Sequence, residues 1–203
     1  MNAVALESLG EVFLVAKVKR TKGDANVSLD DLKVIAKGLG DRQLKAGFFE
    51  SARYDEGTPV AYVAAIQEFG SPKRNIPPRS FFRSTIAEKS GEWARLVEDG
   101  LQAVINGELS MQDLLDTLGL RVAGQVRAKI GSITEPPLSP ITLALRKQKR
   151  LGKTITGATV GATARAIAEG KTGPGELGDS SGINPKPLVF DGILFNSVTH
   201  VVD

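Results

Sequence analysis

The 203-residue chain has no cysteine and a single histidine, His200. The first absence excludes disulfides, thiolate nucleophiles and thiolate zinc sites. The second leaves little material for a metal site or a catalytic triad. Aromatic residues are 5% of the chain, so a core has to be built mainly from aliphatic side chains. No run approaches the roughly 18 apolar residues of a membrane-spanning helix. Residues 1–20 place their basic charges after the apolar part, the reverse of a secretory signal. These absences lead to the expectation of a soluble protein, made in a reducing cytoplasm and not exported by that route.

What is present is ordinary in amount and uneven in place. Hydrophobic residues make up 41% and charged residues 24%, as in soluble globular chains. The net charge of +3 hides two blocks. Glu88, Glu92, Glu98, Asp99, Glu108, Asp113 and Asp116 face only Lys89 and Arg95 within residues 88–116, a net −5. Arg146, Lys147, Lys149, Arg150, Lys153, Arg165 and Lys171 face only Glu169 within 145–171, a net +6. Such asymmetry points to an anionic partner or to unlike faces that meet between copies of one chain; two solvated surfaces are the plain alternative.

Periodicity and punctuation predict the elements. Val12 to Val18 reads as a strand, with a helix from near Val4 as the alternative, and residues 19–26 as a linker. Ser28 and Asp31 have capping-box spacing before a helix carrying Leu29, Leu32, Ile35, Ala36 and Leu39, ended by Gly38 and Gly40. Residues 44–51 read as a strand and 55–59 as a turn. A helix follows over 60–69, with Pro59 in its first turn and Gly70 as its stop. After a proline-punctuated loop at 71–80, Phe82, Ile86, Trp93, Val97, Leu101 and Val104 mark one stripe of a long amphipathic helix over 81–106. Asn106-Gly107 breaks it. Ser110 and Asp113 cap the next helix, whose apolar face runs from Met111 to Val126. Pro136, Pro137 and Pro140 stop helical structure before a short basic amphipathic piece at 141–150. Residues 151–186 are rich in Gly, Thr, Ser and Pro, with only 162–170 reading as helix, and 151–182 are expected to stay mobile in a free subunit. The chain closes with a turn or short helix around Asp191-Gly192 and a strand at Ser197–Val202. The whole reads as α+β: a small, mostly antiparallel sheet packed by two or three amphipathic helices. A single domain over 1–203 is expected, with 145–186 as an extended loop insertion.

Catalytic motifs are weak. The glycines of 173–178 match a dinucleotide fingerprint, but Pro174 and the glycine-rich surroundings do not offer the strand and helix that hold a pyrophosphate. Gly152-Lys153-Thr154 and Gly170-Lys171-Thr172 lack the upstream glycine of a phosphate loop; Lys147 and Arg165 stand there instead. The pairs Asp30-Asp31, Asp55-Glu56 and Glu98-Asp99 are adjacent in sequence, which does not place carboxylates across a cleft. No cofactor is expected.

One stretch stands apart. Ile76-Pro77-Pro78-Arg79-Ser80-Phe81-Phe82-Arg83 packs two prolines, two phenylalanines and two arginines into eight positions. With Gly47-Phe48 and Glu68-Phe69-Gly70 before it and Pro187 to Val198 near the end, it resembles the virion morphogenesis family of tailed phages, the tail-completion or neck proteins. The resemblance spans 28–131 and 185–202 in outline. It departs where Ser80 replaces a usual proline and where Asp191-Gly192 lacks an intervening Thr.

The resemblance implies a non-enzymatic structural protein at the head–tail junction, forming a ring that is a hexamer by analogy with sixfold tails. Its partners would be other copies of itself, the head connector or adaptor and the tail terminator or tube, with non-specific contact to packaged DNA and no membrane. It would reside in the virion neck, and in the host cytoplasm during assembly. Phe81 and Phe82 would pack inward to start the long helix, while Arg79 and Arg83, four apart, would share a face and fork onto a carboxylate. The expected interface residues are Arg79, Phe81 and Arg83 at the corner, Glu98 and Asp99 on the acidic helix, and Arg146, Lys147, Lys149 and Arg150 on the basic segment. The other reading is a nucleic-acid-binding module using 145–171, against which stand the few aromatics and the lack of a binding motif.

Overall fold

Local signals set most element boundaries in the structure, a computed structural model that describes Val12, Phe13 and residues 28–203. Its strands are β1 (Val12–Phe13), β2 (Leu44–Phe48) and β3 (Val198–Val202). Its helices are α1 (Leu29–Leu39), α2 (Val60–Phe69), α3 (Phe82–Ile105), α4 (Met111–Ser132), α5 (Pro140–Arg150), α6 (Gly157–Ala168) and α7 (Ile193–Asn196), with a 3-10 turn at Pro72–Arg74. The α+β expectation therefore holds. Val12–Phe13 falls within the expected first strand; the rest of that strand, the alternative helix near Val4 and the linker lie outside the described residues.

The caps are as the sequence predicts. The Ser28 amide donates to Asp31 at 2.8 Å and the Asp31 amide to Ser28 Oγ at 3.1 Å. The Asp113 amide likewise donates to Ser110 Oγ. Gly38 differs, because α1 runs through it to Leu39. Its missing side chain serves packing: a Cβ there would lie 3.2 Å from Met111 Cβ.

The described residues form two compact units, one of Val12, Phe13, 28–130 and Ile193–Asp203, the other Gly131–Gly192. In the first unit β2 lies between β1 and β3 and is antiparallel to both. The β2–β3 register pairs Leu44 with Val202 and Phe48 with Val198. Reciprocal 3.0 Å hydrogen bonds between Gln43 and Asp203 extend the ladder by one more pair. Ala46, Phe48 and Val198 are buried. Helix α4 approaches the sheet through Gly119, where a Cβ would overlap the His200 ring. It approaches α3 through Gly100, where a Cβ would overlap Leu114. These gaps let Val104, Met111 and Leu114 close one apolar cluster with Ile35, Leu96, Leu101, Leu109 and Leu115. On the flank of the same helix pair, Trp93 donates to Gln125, Gln125 to Glu92, and Lys129 pairs with Glu88 at 2.5 Å.

The second unit corrects the expectation of an extended loop over 145–186. Pro140, read from the sequence as a helix stop, is instead the first residue of α5. Ser139 caps that helix, and a proline at N1 needs no amide partner. Helix α6 starts at Gly157, earlier than expected, on a Thr156–Thr159 capping box. No described helix is long and apolar enough to cross a membrane.

The glycine contacts generate a paired expectation. Gly119→Ala should cost roughly 1–3 kcal/mol, because the new methyl meets a packed ring. Gly124→Ala, on the same helix with nothing within 4 Å, should instead stabilise by up to about 1 kcal/mol. Urea denaturation midpoints measure both, and equal shifts would remove the packing role of Gly119.

Candidate functional site

The corner between α2 and α3 is built around one carboxylate. On α2 the buried positions are Val60, Ala61, Ala64 and Glu68, a stripe at helical spacing. Glu68 is only 3% exposed, and an isolated buried carboxylate is strongly disfavoured unless paired. Gly70 turns the chain at φ +77°, and a Cβ there would lie 2.8 Å from the Pro78 nitrogen. Ser71 and Ile76 then pair backbone to backbone at 2.8 and 3.0 Å. The prolines lead back so that the Arg79 amide donates to the Gln67 carbonyl at 2.6 Å.

This return places the start of α3 on Glu68. Oε2 accepts from the Phe81 and Phe82 amides, each at 2.8 Å. Oε1 accepts from Ser80 Oγ at 2.7 Å, the Arg83 amide at 3.1 Å and Arg83 Nε at 2.9 Å. Arg83 Nη2 also reaches the Glu68 carbonyl oxygen at 3.2 Å. A helix begins with orphan amides and a partial positive charge, and this carboxylate answers both from another helix. Burial by itself would raise the Glu68 carboxyl. The Phe82 amide, Arg83 side chain, Ser80 hydroxyl and Arg83 amide outweigh it and hold the group below its ordinary 4.5.

The corner's expected residues part company here. Phe81 is 1% exposed and packs edge-on against Phe48, with centroids 6.0 Å apart. Arg79 is 5% exposed and donates to Gln67 Oε1 at 3.1 Å, and its burial pushes the guanidinium below its ordinary value. Both are therefore interior residues of this fold: Phe81 packs inward as expected, and neither is free for the interface role also given to it. Arg83 reaches Glu68 within the chain, through Nε to the carboxylate and through Nη2 to the backbone carbonyl. Its guanidinium also lies 4.7 Å from the Phe69 ring. Glu98 and Asp99 are exposed on α3 and make no ion pair among the described residues. The sequence signal for Glu68 was its place on the buried stripe, one turn after Ala64.

The basic segment is also largely used inside its own unit. Arg146 donates to the carbonyls of Lys186 at 2.9 Å and Pro187 at 2.6 Å, and lies over Phe190 at 4.9 Å. Lys149 lies 5.9 Å from the same ring, and Arg150 donates to the Gly182 carbonyl at 3.2 Å. Lys147 pairs with Asp179 and Ser181 at 2.6 and 2.7 Å. The Lys147 ammonium, then the Ser181 and Gly175 amides, hold the Asp179 carboxyl far below the usual range. Buried Gln148 donates to Thr163 and to the Leu177 carbonyl, each at 2.9 Å. This network corrects the view of Arg146 and Lys147 as free cations for a neighbouring subunit. The amides of the fingerprint-like glycines are occupied as well, Gly173 by Glu176 and Gly175 by Asp179.

Among the described residues no group of three or more His, Cys, Asp or Glu side chains is placed to hold a metal ion. No protein-family model, curated protein or solved structure matches the chain.

Two outcomes follow from these networks. Glu68→Ala should cost roughly 3–5 kcal/mol, since it strips several buried donors of one acceptor. The native carboxyl lies below its unfolded value, so its contribution is complete above about pH 4.5 and lost as pH falls through the lower folded value. Glu68→Gln should thus start less stable and lose less between pH 5 and about pH 3 in urea titrations; parallel profiles would rule out this linkage. Asp179→Asn should release 173–182 to faster hydrogen exchange and leave α4 protected, whereas an unchanged pattern would remove Asp179 as the organiser of that turn.

Proposed function

We propose that the chain is a non-enzymatic structural protein of a tailed-phage virion, placed at the head–tail junction. There it forms a ring, a hexamer on the analogy of sixfold tails, that joins the tail to the head connector. One observation carries the reading. Glu68, Phe81 and Arg83, drawn from the motifs that resemble the tail-completion family, share one hydrogen-bonded corner, beside which Gly70 packs against Pro78. Short motifs that meet in space around one helix start have a shared physical reason to occur together in that order.

A rigid corner suits a ring protein. Ring closure repeats one subunit angle many times, so a small error in each copy accumulates. A helix start held by five hydrogen bonds to one carboxylate limits that error. The nucleic-acid reading loses support from the basic segment, because Arg146, Lys147 and Arg150 are hydrogen-bonded within their own unit.

The test is assembly and joining. Six copies of 21.5 kDa give about 129 kDa, and sedimentation should find a discrete species near that mass. In a phage that encodes this chain, deleting its gene should leave filled heads and finished tails unjoined in electron micrographs. Joined, infectious particles made without it would overturn the proposal.

A further inference from the structure

Two exposed surface features of the first unit are opposite in charge. The first is the outer face of α2, where Tyr62 and Phe69, seven residues apart and so on one side of the helix, are 39% and 42% exposed. Each carries a cation: Arg74 lies 6.0 Å from the Tyr62 ring and Arg83 lies 4.7 Å from the Phe69 ring. Lys73 is exposed beside Arg74 and has no ion pair among the described residues. Tyrosine, phenylalanine and arginine are the residues enriched at the centres of protein interfaces. The second feature is the exposed pair Glu98–Asp99. Asp99 stands sixteen residues beyond Arg83 on α3, about 24 Å at roughly 1.5 Å per residue.

We propose that these two patches meet between copies: the aromatic–cationic face of one subunit docks on the Glu98–Asp99 region of the next. This rests on the ring reading above. One rigid helix holds the patches near opposite ends, and a head-to-tail contact needs two unlike faces on one subunit. Charge favours a second copy over nucleic acid. Outside residues 131–192 the chain has 18 basic residues (26 less 8) and 18 acidic ones (23 less 5). A unit with no net charge gains little from a polyanion, while segregated patches of opposite sign attract each other and set the register.

Charge reversal tests the contact. One variant carries Lys73→Glu and Arg74→Glu, a second carries Glu98→Lys and Asp99→Lys, and a third carries all four changes. All four positions are exposed, so urea midpoints should stay near the native value. Each two-site variant alone should need about tenfold or more protein to assemble in sedimentation velocity. An equimolar mixture of the two, and the four-site variant alone, should assemble near the native concentration, since every contact again pairs opposite signs. A native chain that assembles while the variants do so equally well overturns this contact and leaves the ring reading standing. So does a mixture that stays monomeric. A native chain that is monomeric at every concentration overturns both. Loss of duplex-DNA binding in the first variant, with assembly unchanged, would assign the face to nucleic acid instead.

Discussion

The Glu68 carboxylate is the constraint on which the first unit depends. A buried negative charge on α2 is unfavourable until α3 begins at one place and in one direction. When it does, the amides of Phe81, Phe82 and Arg83 and the side chains of Ser80 and Arg83 converge on it. One set of hydrogen bonds offsets both the cost of desolvating the charge and the cost of leaving a helix start uncapped. Gly70 and the two prolines make the return possible, the glycine by accepting φ +77° where any Cβ would strike the Pro78 backbone. Phe81 then enters the core against Phe48, tying the corner to the sheet.

From that origin α3 runs 24 residues, and its partner α4 lies close because glycine stands at the contact points. Gly100 admits Leu114, and Gly119 admits His200 and Leu44. Close approach gives the aliphatic cluster its packing in a chain with few aromatics. It also brings Glu88 and Glu92 against Lys129 and Arg121, so part of the acidic block is balanced inside the subunit. Glu98 and Asp99 remain outside that balance.

The unit of residues 131–192 is held differently. Its buried side chains include Gln148, Thr163 and Asp179 beside Ala144, Ala166 and Leu188. A segment with few large apolar residues offsets its ordering cost through hydrogen bonds instead. The cations of α5 supply many of them, by capping carbonyls of 182–187 and by closing on Asp179.

How much of this was legible depends on the range of each cause. Capping at Ser28 and Ser110, the stripe of α3, the Gly70 stop and the closing strand follow from side chains and backbone within a few residues of one another, and the sequence by itself determined them. The density of prolines, phenylalanines and arginines also singled out the 76–83 corner. Tertiary structure alone decided the rest. Glu68 and the amides it caps are thirteen to fifteen residues apart, and no local pattern distinguishes it from an exposed glutamate except its place on a buried stripe. Arg79 read as a surface contact because burial depends on what folds over it. The block of +6 read as a free surface because the carbonyls that occupy it lie up to 41 residues away. Charge and composition add along a chain, but the partner that uses them is a matter of distance in space.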